Sequence, residues 1–167
     1  MLTKKKILSI EEDIINALKS INKELTINKI NNSKEWTRAI KRSIGNLGIR
    51  NGYQVCASGF EGSFSNEWLF DIVWYQEDNY LKEVCLIAES EWGLEIGHIK
   101  YDFEKLLVGN AYIRLMICNA DGSLVENRFS YFQSAIKAFK QLNNGSRFLI
   151  AIYNNSEGKF EFKSIVK

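Results

Sequence analysis

The chain has 167 residues, 46% of them hydrophobic and 13% aromatic, which suits one compact domain with a real core and excludes a largely disordered chain. Its formal net charge is only +2, so there is no global electrostatic case for nucleic acid, and any basic contact surface must be local. No apolar run approaches the roughly 20 residues of a membrane-spanning helix, and the N-terminal MLTKKKILSIEED lacks the apolar stretch of a signal peptide, so a mature cytoplasmic protein without a membrane partner is expected.

Residues 8–25 place Ile10, Ile14, Leu18, Ile21 and Leu25 at helical spacing, with Ser9 as the expected cap and Glu12 three residues on. A polar connection, NKELTINKINNSK, leads to a second helix that starts after Asn32-Ser33. That helix sets Trp36, Ile40, Ile44 and Leu47 on one face and is expected to end at Gly48. Strands are expected over 52–59, 67–76 and 79–91, the last two joined by a turn at Glu77-Asp78-Asn79. A helix over 96–109 carries Ile99, Phe103, Leu106 and Leu107 inward, and a strand covers 111–119. An amphipathic helix over 126–142 turns Phe129, Phe132, Ile136 and Phe139 inward, and strands over 147–154 and 159–166 finish the chain.

The resulting order, α-α-β-β-β-α-β-α-β-β, predicts an α/β fold with a mixed central sheet and helices on both faces. A single domain is expected over residues 1–167: an N-terminal helix and connection to residue 33, a core over 34–120, and a helix with terminal strands over 121–167. Cys56, Cys85 and Cys118 are odd in number, far apart and without a CxxC pair, which argues for reduced core thiols and against a zinc site.

The stretch VCLIAESEWG ends an apolar run in two glutamates separated only by Ser90. Side chains alternate along a strand, so Glu89 and Glu91 point to the same side. Burying both without partners is costly, so either this strand end is wet or something positive lies between them. The preceding apolar run, EWLFDIVWY, contains Asp71, a residue disfavoured in mid-strand. A tight hairpin turning near residue 78 would set Asp71 opposite Val84, some distance from Glu89, unless a bulge shifts the register. Carboxylates of this kind suit a hard divalent cation, Mg²⁺ above all, and phosphodiester hydrolysis is the chemistry such an ion serves.

Asp71 on the second core strand and Glu89-Ser90-Glu91 at the end of the third resemble the PD-(D/E)XK nuclease superfamily, with its restriction-endonuclease-like αβββαβ core. The resemblance covers roughly residues 34–120. It departs from the family pattern in two places: no proline precedes Asp71, and Glu91 stands where the motif has lysine. The resemblance implies that Asp71, Glu89, Glu91 and the backbone carbonyl of Ser90 hold Mg²⁺ or Mn²⁺. It implies further that Lys105, on the following helix, is the migrated lysine, and that Glu35, opening the helix before the first core strand, is an added acid. The activity implied is metal-dependent hydrolysis of DNA, alone, as a homodimer or with a partner protein. The alternative is a catalytically inactive module of the same fold that binds nucleic acid or protein.

Each residue also has a plainer meaning. Two glutamates suit a solvated strand end, Lys105 an amphipathic helix surface, and Glu35 a helix first turn. His98, the sole histidine, is expected to be polar and exposed near a helix start rather than part of a triad. The loop GFEGSF (59–64) lacks the phosphate-loop pattern. Lys34, Arg38, Lys41 and Arg42 on one helix, and Lys137 and Lys140 on another, form local basic patches suited to phosphates. The tryptophans are expected mostly in the core, with Trp92 at the rim of the site.

Overall fold

The computed structural model describes residues 2–28, 32–58, 68–93 and 95–167. Helix α1, Lys4–Ile27, buries Ile10, Ile14, Leu18, Ile21 and Leu25 as their spacing predicts. It begins before Ser9, because Thr3 is the cap: its hydroxyl accepts the Lys6 N–H at 3.2 Å and satisfies an otherwise orphaned donor. Helix α2, Ser33–Arg50, opens as expected on Asn32, whose side chain accepts from the Lys34 N–H at 2.9 Å. It does not stop at Gly48. Asn51 supplies the cap, with its backbone N–H on the carbonyls of Leu47 and Gly48, and Gly52 at φ 84° makes the reversal. Gly48 serves packing instead: a Cβ there would lie 2.7 Å from Nε1 of the buried Trp74.

Six strands form one sheet in the order β1-β2-β3-β4-β5-β6. They are β1 (Gln54–Ala57), β2 (Ile72–Glu77), β3 (Leu81–Glu91), β4 (Ile113–Ala120), β5 (Arg147–Asn154) and β6 (Lys159–Val166). The first three make an antiparallel meander, β3, β4 and β5 run parallel, and β6 returns antiparallel against β5. The parallel steps are bridged by α3 (Ile96–Val108) and α4 (Val125–Ala138). Helix α4 stops short of the expected residue 142, because the Lys167 ammonium takes the end carbonyls of Ile136, Lys137 and Phe139.

Helices α1 and α2 cover one face of the sheet, and α3 and α4 the other. Strands β2 to β5 are therefore apolar on both sides, which is why they read as near-continuous hydrophobic runs. The α/β class and the mixed sheet between two helical layers agree with the sequence pattern. Cys56, Cys85 and Cys118 are buried and unpaired. Among the described residues no helix is long and apolar enough to cross a membrane.

The β2–β3 hairpin departs from the simple register. Glu77 faces Leu81, but two shifts follow, and Ile72 faces Ala88. Each shift leaves one β3 residue, Lys82 and then Cys85, without an opposite number, so each is a bulge that slides β3 along β2. The turn itself, with Glu77 opposite Leu81, already moves the position facing Asp71 from Val84 to Ile87, and the two bulges carry it on to Glu89, beside Ser90. The bulge at Cys85 also flips its parity: Cys85 joins Leu86 and Ala88 under α1 and α2, whereas Ile87 faces α3.

Asp71 is not in mid-strand. Strand β2 begins one residue later, because Trp68-Leu69-Phe70 folds into a tight turn with Leu69 at φ 64° and the Phe70 N–H on the Trp68 carbonyl at 2.7 Å. The turn also takes Trp68 out of the expected core and leaves it 42% exposed. The GFEGSF loop lies outside the described residues.

Candidate functional site

The carboxyl ends of β1, β3, β4 and β5 and the start of β2 lie along one edge of the sheet. In α/β sheets the carboxyl edge of the parallel strands is where ligands bind, because the helices beginning there leave a crevice. Strand alternation sends Glu89, like Ile87, toward α3. There Glu89 is 2% exposed, and Lys105 Nζ lies 2.5 Å from its Oε1 and 3.5 Å from Asp102 Oδ1. Oε1 accepts no hydrogen bond of good geometry, so the contact with Lys105 is a close ion pair.

The charges are strongly coupled. Burial pushes the Glu89 carboxyl up to about 8; Lys105 opposes the rise, and Asp71 and Asp102 add to it. Burial also raises Asp102, again against Lys105 and with help from Glu91 and Asp71. Burial works against the Lys105 ammonium, but Glu89 and Asp102 outweigh it and hold Lys105 above its ordinary value.

Asp71 is held from the opposite helical layer. Its Oδ1 lies 2.9 Å from Lys41 Nζ of α2, and its Oδ2 accepts the Ser90 backbone N–H at 2.9 Å. Lys41 also donates to Ser58 Oγ, just past β1, at 3.0 Å. One lysine thus ties together α2 and the ends of β1 and β2, and Asp71 continues the tie to β3. Glu91 is half-buried, and its Oε1 accepts the Gly93 N–H at 2.5 Å, turning that oxygen back onto its own chain. Trp92 lies half-buried, donating to Ser90 Oγ at 3.1 Å and packing 5.5 Å from Trp36.

Beside Lys41 opens a cavity of about 460 Å³ lined by Lys34, Thr37, Arg38, Lys41 and Ser58. Lys34, Arg38 and Lys41 share one side of α2, and no carboxylate of the described residues is paired with Lys34 or Arg38. Glu35 is exposed in the first turn of α2, well round the helix from that basic side, and makes no ion pair among the described residues. His98 is exposed near the start of α3, 4.0 Å from Glu95, as its position predicts.

The structure therefore brings Asp71, Glu89, Ser90, Glu91 and Lys105 to one sheet edge, while Glu35 is exposed in the first turn of α2 with no ion pair to them among the described residues. Two neighbours carried little mark in the sequence. Lys41 reads as one of four basic residues on a helix surface, and only its place between Ile40 and Ile44 hints that its stem is buried. Asp102 reads as the flank of an amphipathic helix. No family model, curated protein or solved structure matches this chain.

The chemistry accordingly rests on the residues themselves. Among the described residues, no group of three or more acidic, histidine or cysteine side chains is arranged to hold a metal ion. The donor chemistry nevertheless suits a hard cation. Mg²⁺ commonly takes one or two carboxylates and keeps several waters. Asp71, paired with Lys41, Glu89, whose Oε1 is paired with Lys105, and the Ser90 carbonyl are the oxygens that could hold such an ion.

Proposed function

We propose that this chain is a metal-dependent nuclease-like protein of restriction-endonuclease-like fold that hydrolyses phosphodiester bonds in DNA. The observation that carries the proposal is the convergence of Asp71 with Glu89-Ser90-Glu91, brought level by two bulges, with Lys105 against Glu89. The element run α2-β1-β2-β3-α3-β4 supports it, since its order is the αβββαβ that the sequence resemblance implies.

A bound Mg²⁺ or Mn²⁺ would polarise a phosphoryl oxygen and lower the pKa of attacking water. Asp71, Glu89 and the Ser90 carbonyl would hold it, with Glu91 next along the same side of the strand. The Lys105 ammonium, partly exposed beside Glu89, would meet negative charge developing on the phosphate. The Lys34, Arg38 and Lys41 side of α2 offers positive charge to the DNA backbone.

A second reading has an observation of its own. Both central carboxylates already have a lysine ammonium against them, which suits a catalytically silent module that binds nucleic acid or a partner protein. Cleavage of plasmid and short duplex DNA with Mg²⁺ or Mn²⁺ separates the two. The enzyme predicts cutting that falls at least about a hundredfold in Asp71→Ala and in Glu89→Ala, with circular dichroism unchanged. Equal cutting by both variants would sink it, and binding without cutting under either ion favours the silent module.

A further inference from the structure

Lys41 belongs to two places at once. Its ammonium neutralises Asp71 at 2.9 Å, and the same side chain lines the cavity shared with Lys34, Thr37, Arg38 and Ser58. A divalent cation on Asp71 would face that ammonium across a single carboxylate group, and like charges so close repel strongly where water is scarce. Lys41 would have to withdraw for the cation to enter. Lys41 lines the adjoining cavity beside Lys34 and Arg38, so an anion bound there would offer its ammonium a second counter-charge.

We propose that Lys41 is a reversible lock on the carboxylates, released by a tetrahedral phosphoryl-type anion seated in the Lys34/Thr37/Arg38/Ser58 cavity. The inference rests on the metal-binding role of Asp71 proposed above and adds regulation of that site. In the free protein Lys41 occupies Asp71 and keeps the cation out. An anion in the cavity draws the ammonium across, so anion and cation bind with positive coupling, each tightening the other by the same factor. A stray divalent ion then finds the site closed unless a phosphate is already in place.

The test is calorimetric titration of Mg²⁺ into the full chain, in chloride and in sulfate at equal ionic strength, with sulfate as the probe anion. Wild type should bind Mg²⁺ about tenfold more tightly in sulfate. Lys41→Met keeps the apolar stem without the charge, and should bind Mg²⁺ tightly in chloride with little further gain from sulfate. In the Lys34→Met/Arg38→Met double variant the effect of sulfate should disappear. Equal Mg²⁺ affinity in wild type and Lys41→Met, lost in Asp71→Asn, overturns the lock while leaving the metal site standing. No Mg²⁺ binding by any variant in either salt overturns both. The wild-type comparison of the two salts needs no substitution: an unchanged affinity overturns the lock even where Lys41→Met fails to fold.

Discussion

Glu89 is a nearly sealed carboxyl whose compensation comes from one lysine, and its burial has a consequence for stability. A carboxyl whose folded pKa lies above its unfolded value holds more protons folded than unfolded across that interval. Its contribution to stability therefore falls as pH rises, here between about 5 and about 8. The slope can reach about 1.4 kcal/mol per pH unit for a single group. Asp102, raised in the same direction, adds to it. Urea unfolding at a series of pH values should show the wild type losing stability through this window, and Glu89→Gln losing distinctly less. A parallel pH profile in the variant would mean that Glu89 is ionised throughout. Asp71 and the two glutamates are identifiable as residues because carboxylates beside apolar runs need an explanation. Their partners are not, since nothing local distinguishes Lys41 from its basic neighbours Lys34, Arg38 and Arg42.

Among the elements, the contact between α2 and β2 is set by one missing side chain. Gly48 lets the helix backbone meet the Trp74 indole, which is completely buried. Gly48→Ala should place a methyl group in that ring's space and cost about 1–3 kcal/mol, the usual range for overpacking a filled core, read as a lower urea midpoint at unchanged slope. An unaltered midpoint would show that α2 can shift away from β2 freely. The same contact explains why the glycine did not end its helix: spacing marks Gly48 as a terminator, while the tertiary fold needs it as a gap. The β2–β3 hairpin teaches a related lesson. Two bulges on the same strand restore the side-chain alternation beyond them, so the hydrophobic pattern at Glu89 is the same with or without the pair. The register that joins Asp71 to Ser90 is therefore invisible to periodicity.

For the molecule as a whole, the sheet is held between two helical layers, and α1 is fastened to the far strands by a buried charge. Arg147 Nη1 on β5 lies 2.9 Å from Glu11 Oε2, and Glu11 Oε1 is buried without a hydrogen bond. Burial raises the Glu11 carboxyl against the pull of Arg147. Arg147→Met should cost about 2–4 kcal/mol by stranding that carboxylate, whereas the Glu11→Met/Arg147→Met pair should fall within about 1 kcal/mol of wild type. Equal losses in both would assign the effect to packing rather than charge. The sequence by itself determined the element order, the inward face of each helix, the doubly buried central strands and the presence of carboxylates needing compensation, because burial writes a period into neighbouring residues. Only the tertiary structure decided the bulged register, the turn that sets Asp71 at the mouth of β2, and the lysines from opposite layers that meet the two acids. Those depend on contacts between residues far apart in the chain, and such contacts leave no period to read.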